Sequence, residues 1–349
     1  MRSVPVLVLG VLLMSLAISE TAYPAENVQQ LLKLGREMTR EDKTLLEEQL
    51  AKTPNDVESR TKLLGYYLIK GRQDSDAGTN KERHIIWLIE NAPESEVLGL
   101  PYSKLHKVIE PKAYSRAANA WKKTLSESPE NLSILKNAAA FFLIEDRKFS
   151  EDLLLKGQAL DPKNSKWAAS LGELYSLDLM SLPAGADRKA TAKKAFDQNH
   201  LAYNLSEPEG KDALLTNLAK SAFAAGLNDE AKRIATDMID DDAQGWNRGN
   251  RIHHGNIILG QLAIIDGNID EAKSRLLLAG KTEGSPQLNS FGPSMTLAKE
   301  LLERGERDVV LDYFELCKKF WKSGDRNLKQ WSDEVKANRI PQFGANLRY

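Results

Sequence analysis

From residue 26 onward, apolar residues recur every three or four positions, which is the spacing of amphipathic α-helices. Val, Ile and Thr do not gather in alternating runs, whereas Ala, Leu, Lys and Glu dominate at helical spacing. Turn-forming segments interrupt the pattern repeatedly: KTPND, ENAPES, SESPEN, LDPKN and SEPEG. Pro129 and Pro162 lie 33 residues apart, and each separates two predicted helices. The pattern predicts an all-α chain built from repeated helix pairs.

Six segments carry small and large residues at matching positions. They contain Leu63 and Tyr67; Ala138, Ala139 and Phe142; Leu171, Gly172 and Tyr175 after Trp167; Leu218, Ala219, Gly226, Ala231 and Ala235; Leu259, Gly260, Ala263, Gly267, Ala272 and Leu276; and Leu297, Ala298, Leu301, Gly305, Val310 and Phe314. Small residues such as Gly260 and Ala272 are expected where the two helices of a pair cross closely. The glycines Gly226, Gly267 and Gly305 are expected to end each first helix in a tight turn.

Together these motifs resemble the tetratricopeptide repeat over most of residues 56–322, although Trp167 sits one place early and several connections are longer. The resemblance implies a right-handed solenoid of antiparallel helix hairpins that binds a protein or peptide along the concave face of its first helices. Some members of the family hold a peptide carboxylate with Lys and Asn side chains on that face. The positions that match the groove are Lys136, Asn137, Asn217, Lys220, His254, Gln261 and Lys299.

The two ends of the chain differ from the repeats. Residues 1–19 carry Arg2 and then an apolar run, which is typical of a secretory signal peptide, with cleavage after Ser19 or as late as Ala25. An uncleaved anchor is the alternative. We expect residues 26–55 to form an N-terminal helical cap and residues 323–349 a C-terminal capping helix, with Trp331 turned inward, and a tail. That tail either packs back on the last repeat or hangs free.

Composition and charge argue against nucleic-acid and membrane-surface binding and bear on the cellular compartment. The chain has 349 residues, of which 28% are charged and 42% hydrophobic, and its formal net charge is −1. A balanced charge gives no field that would attract nucleic acid or an anionic membrane. Cys317 is the single cysteine, so no intrachain disulfide can form, and we read it as a buried core residue. Export without disulfides favours the periplasm of a bacterial envelope, or secretion, with no stable membrane insertion after cleavage.

The segment 280–282, Gly-Lys-Thr, resembles the end of a phosphate-binding loop but does not complete one. The loop motif requires a glycine five residues before Gly280, and Arg275 stands there instead. The preceding segment also reads as a helix rather than a strand. We therefore predict no nucleotide site, and no other cofactor is indicated.

Two long connections, residues 241–256 and 280–293, remain as candidate binding loops, because loops of this length are often functional. Their candidate residues are Trp246, Arg248, Arg251 and Asn289. His253 and His254 are adjacent on a predicted helix and point in different directions, so no metal site is predicted. The simpler interpretation buries one histidine and places the other at the groove, and it folds the second loop back to cap the next helix.

The sequence thus predicts a non-enzymatic protein-binding or scaffold module. An enzyme or small-molecule-binding protein with its site under the two long loops is the alternative, and self-association in a purely architectural role is a third possibility. A G-x-S-x-G elbow and zinc-protease spacing are both missing from the chain.

Overall fold

The structure is a computed structural model, and it describes residues 25–70, 76–182, 187–240 and 245–348. The predicted signal peptide and residues 241–244 of the first candidate loop lie outside these residues. Across the described residues the chain forms 17 α-helices and no β-strand. Helices that follow one another in the sequence pack against one another. The prediction of an all-α chain of helix pairs is confirmed at this level.

The chain divides into two compact units, and the described part of the N-terminal unit ends at Trp167. Its helices are α1 (Ala25–Glu37), α2 (Arg40–Lys52), α3 (Val57–Lys70), α4 (Ala77–Asn91), α5 (Pro111–Glu127), α6 (Leu132–Phe142) and α7 (Arg147–Leu160). Thr39 begins α2 with a capping box, in which its hydroxyl accepts from Asp42 N and its own N–H is bound by the Asp42 carboxylate. Helix α1 packs on α3 through glycine: a Cβ on Gly35 would lie 1.9 Å from Lys62 O. The segment expected to be an N-terminal helical cap is therefore in backbone contact with α3.

The C-terminal unit runs from Ala168, within helix α8. Its helices are α8 (Ser165–Ser181), α9 (Arg188–Leu205), α10 (Pro208–Ala224), α11 (Asn228–Asp240), α12 (Arg248–Ile265), α13 (Ile269–Gly280), α14 (Pro286–Phe291), α15 (Thr296–Leu302), α16 (Arg307–Cys317) and α17 (Asp325–Lys336). Helix α14 was not anticipated from the sequence; Ser285 begins it, because its hydroxyl accepts from Leu288 N.

Three helix pairs in this unit share one turn. Gly226, Gly267 and Gly305 follow α10, α12 and α15, with φ of +75°, +76° and +87°. In each turn the residue after the glycine donates its N–H to a carbonyl five residues back, as Leu227 does to Ala222 O at 3.0 Å. This is the left-handed helix ending that glycine adopts without strain. The predicted tight turns are confirmed at all three positions.

The small residue Gly260 allows a close approach, but not chiefly the one that the sequence predicted. We expected it to let α12 and α13 cross. A Cβ at Gly260 would lie 2.2 Å from Leu297 Cδ2 of α15 and 3.2 Å from Arg275 Cβ of α13. The tighter contact is thus with α15, the first helix of the next pair, because α12 packs on α15 as well as on α13.

The end of the C-terminal unit is covered by aromatic packing. Phe314, Trp331 and Phe343 are buried, with ring centroids of Trp331 and Phe343 5.0 Å apart. The Asn346 side chain donates to Phe291 O and Pro293 O, at 3.3 and 2.9 Å. The tail therefore packs back rather than hanging free, and the inward orientation of Trp331 is confirmed. In the part of the chain that the structure describes, no helix combines the length and apolar character needed to cross a membrane.

Candidate functional site: a polar face on three first helices

Helices α10, α12 and α15 are the first helices of three pairs, and α12 packs on both of the others. Two polar contacts fix their alignment. Arg251 Nε of α12 lies 3.3 Å from Asp212 Oδ1 of α10, and Gln261 Nε2 of α12 donates to Glu300 Oε1 of α15 at 2.6 Å. In both pairs the two residues are 39 positions apart in the sequence, the residue of the earlier helix coming first. The three helices therefore meet their neighbours in one common register.

Lys220 is the central charge on α10. Asp212, Thr216 and Lys220 follow one another at four-residue spacing, so they share the face of α10 that meets α12. Lys220 is partly exposed, and no carboxylate among the described residues forms a salt bridge with it. Burial lowers the pKa of the Lys220 ammonium from 10.5 to about 7. A cation in this setting lacks the counter-ion that buried charges normally have.

Two buried polar atoms near this lysine also lack partners within the described residues: His254 Nδ1 and the Thr216 hydroxyl. His254 is 6% exposed, and its pKa is lowered well below 6.5 by burial first, and then by the Lys220 and His253 charges. The imidazole is therefore neutral at pH 7. Buried polar atoms without a hydrogen bond are uncommon in folded proteins. Two such atoms beside the Lys220 ammonium, which has no salt bridge among the described residues, make this part of α10 and α12 a candidate ligand contact.

Glu300 is the opposite charge at the other side of α12. It is half-buried, and burial raises the pKa of its carboxyl despite the hydrogen bond from Gln261. Among the described residues no cation forms a salt bridge with it, and neighbouring Lys299 is paired with Glu303 at 2.8 Å. The charges of Arg304 and Lys299 act on Glu300 without such a bond, and each lowers its pKa. We call Thr216, Lys220, His254, Gln261 and Glu300 the first-helix face.

The structure brings together some of the groove residues predicted from the sequence. Asn217 and Lys220 lie on α10, and His254 and, farther along, Gln261 lie on α12. Lys299 forms a salt bridge with Glu303 of its own helix. Asn137 belongs to the N-terminal unit and is 2% exposed. Its amide donates to Pro93 O and Ser95 O at 2.9 and 3.0 Å, so both of its N–H donors are already used within the fold. Neighbouring Lys136 is exposed.

The two long loops are joined by hydrogen bonds over their described parts. Asn250 donates to Gln287 Oε1 at 3.0 Å, Ser285 donates to Asn250 Oδ1 at 2.6 Å, and Asn247 donates to Asp212 O at 2.7 Å. A Cβ on Gly249 would lie 1.8 Å from Gly284 O. The described parts of the two loops therefore lie side by side, and their polar groups hydrogen bond to one another.

The loop candidates themselves are spread out. Trp246 is 50% exposed and Arg248 is half-buried. Arg251 is buried and forms the salt bridge with Asp212. Asn289 lies against Gly284, and its amide is placed to donate to the carbonyl oxygens of Ser285 and Phe320.

His253 has a structural role that its neighbour lacks. Its Nδ1 lies 3.0 Å from Ala279 O, and its Nε2 accepts from Ser294 N at 3.0 Å, so the ring is a neutral bridge across the second loop. Burial lowers the pKa of His253 to about 4. Both histidines are buried, whereas the simpler sequence interpretation placed one of them at the groove.

A second polar cluster, in the N-terminal unit, is fully partnered. His84 Nε2 lies 2.8 Å from Glu47 Oε1, His84 Nδ1 lies 3.0 Å from Arg60, and the Tyr67 hydroxyl donates to Glu47 at 2.6 Å. Burial alone would raise the pKa of Glu47, but the hydrogen bonds and the Arg83 charge lower it to about 2. Because these groups satisfy one another, we assign the cluster to stability.

Sequence reasoning missed Asp212, Thr216 and Glu300. Asp212 and Thr216 precede Lys220 at four-residue spacing on α10, and Glu300 follows Gln261 by 39 residues. Both patterns are visible in the sequence, but polar residues at such spacing are common on solvated helices. Within the described stretches, no three His, Cys, Asp or Glu side chains are grouped closely enough to hold a metal ion. A scan against protein-family models and a search of curated proteins both give no match to this chain.

Proposed function

We propose that the chain is a right-handed, tetratricopeptide-like solenoid that binds a protein segment along the first-helix face. It serves as a non-enzymatic binding or scaffold module of the bacterial envelope. The all-α fold, the three identical glycine turns and the common register of α10, α12 and α15 support the repeat assignment. The apolar run after Arg2 supports export.

One observation carries the binding role: Lys220 is a partly buried ammonium that forms no salt bridge with a carboxylate among the described residues. A partner carboxylate placed there would form a charge-assisted hydrogen bond. It would also relieve the cost of holding an uncompensated charge away from water. We infer that the partner presents an acidic group to Lys220.

The alternative, a small-molecule or enzymatic site under the long loops, has no such observation in its favour. The described polar groups of those loops, Asn247, Asn250 and Ser285 among them, hydrogen bond to one another or to α10. These hydrogen bonds hold the loops in their conformation, so a ligand would have to displace them.

The test is a cross-linked pull-down from envelope extract with the mature chain as bait. A Lys220→Glu bait reverses the charge at the proposed contact. A Lys232→Glu bait is the matched control, because Lys232 is exposed on α11, the second helix of the same pair. We expect a defined protein to be captured by the parent and the control and lost with Lys220→Glu, while all three baits keep the same elution volume on sizing.

Capture that is indifferent to the charge of residue 220 refutes the use of this face. A bait that retains only further copies of itself, and elutes as an oligomer, replaces the proposal with an architectural role.

A further inference from the structure

We propose that the partner segment carries two charges of opposite sign, an acidic side chain for Lys220 and a basic side chain for Glu300, separated by about five or six residues of extended chain. This rests on the proposed function and adds the charge pattern of the partner. The two charged groups give the signs, and the packing of three neighbouring helices gives the spacing.

The signs follow from the two unpaired groups. Within the described residues Lys220 forms no salt bridge with a carboxylate, and Glu300 forms none with a cation, although the charges of Arg304 and Lys299 lower the pKa of Glu300. Each is partly withdrawn from water, so each gains from a counter-ion more than an exposed charge does. Two neighbouring charges are already paired, Asp212 with Arg251 and Lys299 with Glu303, and the Arg304 guanidinium donates to the main-chain oxygen of Glu300 at 2.8 Å.

The spacing follows from helix packing. Helix α12 separates α10 from α15, and packed helices lie about 8–10 Å apart. Two such steps place Lys220 and Glu300 roughly 16–20 Å apart across the face. An extended chain advances about 3.3–3.6 Å per residue, so about five or six residues span that distance.

Polar groups beside the two charges suit a peptide backbone. The Gln261 amide is half-buried, and its nitrogen already reaches Glu300 at 2.6 Å. The Asn217 side chain is half-buried on α10, and the Thr216 hydroxyl lacks a partner among the described residues. Amide and hydroxyl groups both donate and accept, which matches the alternating N–H and C=O groups of an extended segment.

The experiment is a selection from a displayed library of random twelve-residue peptides on the immobilised mature chain. For the parent we expect enriched peptides to pair an acidic and a basic residue at a separation of five or six, in one preferred order. For the double variant Lys220→Glu/Glu300→Lys we expect the same separation with the order of the charges reversed. The matched control is Lys232→Glu/Asp312→Lys, which makes the same exchange on exposed sites of α11 and α16 and should select the parental order.

Single variants assign each charge. Lys220→Met should remove the enrichment of acidic residues while the basic residues persist, and Glu300→Gln should do the converse. Circular dichroism of every variant verifies the helical fold before selection.

An enriched set without a fixed separation, an order of charges that survives the exchange, or no enrichment at all overturns the inference. None of these outcomes touches the proposed function, which fails separately if capture from extract ignores the charge at residue 220.

Discussion

The uncompensated charge of Lys220 should make the folded protein less stable than it would be with an apolar side chain at that position. Lys220→Met keeps an unbranched chain of similar length and removes the ammonium. We expect the variant to be more stable than the parent at pH 6, which is the reverse of the usual effect of a substitution in a packed region.

The magnitude follows from the lowered pKa. The ammonium titrates at about 7 in the folded protein and at about 10.5 in the unfolded chain. Between these values the unfolded chain binds more protons, so the stability of the parent rises with pH across this window, and the destabilisation is complete below about pH 7. At about 1.4 kcal/mol for each pH unit, the upper limit is about 5 kcal/mol. Since Lys220 is partly exposed and screened by water, we expect about 1–3 kcal/mol.

The assay is urea unfolding of both proteins at pH 6, 7.5, 9 and 10, followed by circular dichroism. The free-energy difference should be largest at pH 6 and should shrink steadily toward pH 10. Lys232→Met, at an exposed position, should match the parent throughout. A Lys220→Met protein that is less stable at pH 6, or a gap that does not change with pH, would refute the reasoning.

Three further outcomes are expected. Gly260→Leu should lower the free energy of unfolding by about 1–3 kcal/mol through overpacking against Leu297, and an unchanged melting temperature would contradict the packing described for α12. The pKa of His253 is about 4 when folded and 6.5 in the unfolded chain, so His253 should contribute up to about 3 kcal/mol to the stability that the parent loses as pH falls from 6.5 to 4, in addition to the contribution of His254. His253→Gln should flatten that loss in acid-unfolding curves; an equally steep curve would assign the pH dependence to other groups. Phe343→Ala should cost about 3–4 kcal/mol in urea unfolding, since the ring is 2% exposed, and a smaller loss than 1 kcal/mol would mean that the tail is not held as described.

Much of the fold could be predicted because its determinants are local. Helical periodicity and the glycines at 226, 267 and 305 report on residues close in sequence, and all three turns adopt the expected left-handed conformation. The contact partner of Gly260 could not be predicted in the same way. A small residue indicates a close approach but does not name the helix that approaches, and Leu297 comes from the next pair.

The candidate site was predicted only in part, for a related reason. Lys220 and His254 were identified by repeat position, but whether Lys220 has a counter-ion among the described residues depends on which groups face it from the neighbouring helices. Asn137 illustrates the opposite case: its position matched the groove, yet its amide binds two carbonyl groups. The pattern indicates which helix face a residue occupies, but not whether its hydrogen-bonding capacity is already used.

The three glycine turns also bear on how this chain folds. Each turn is closed by hydrogen bonds between residues at most five apart, and the glycine adopts its conformation without help from distant parts of the chain. Each helix pair can therefore form early and locally, before its neighbours are in place. Refolding should then begin at any of the three pairs and spread by docking of adjacent pairs, as in other arrays of stacked helices. Replacing one of these glycines would delay a single starting point and leave the other two to begin the process.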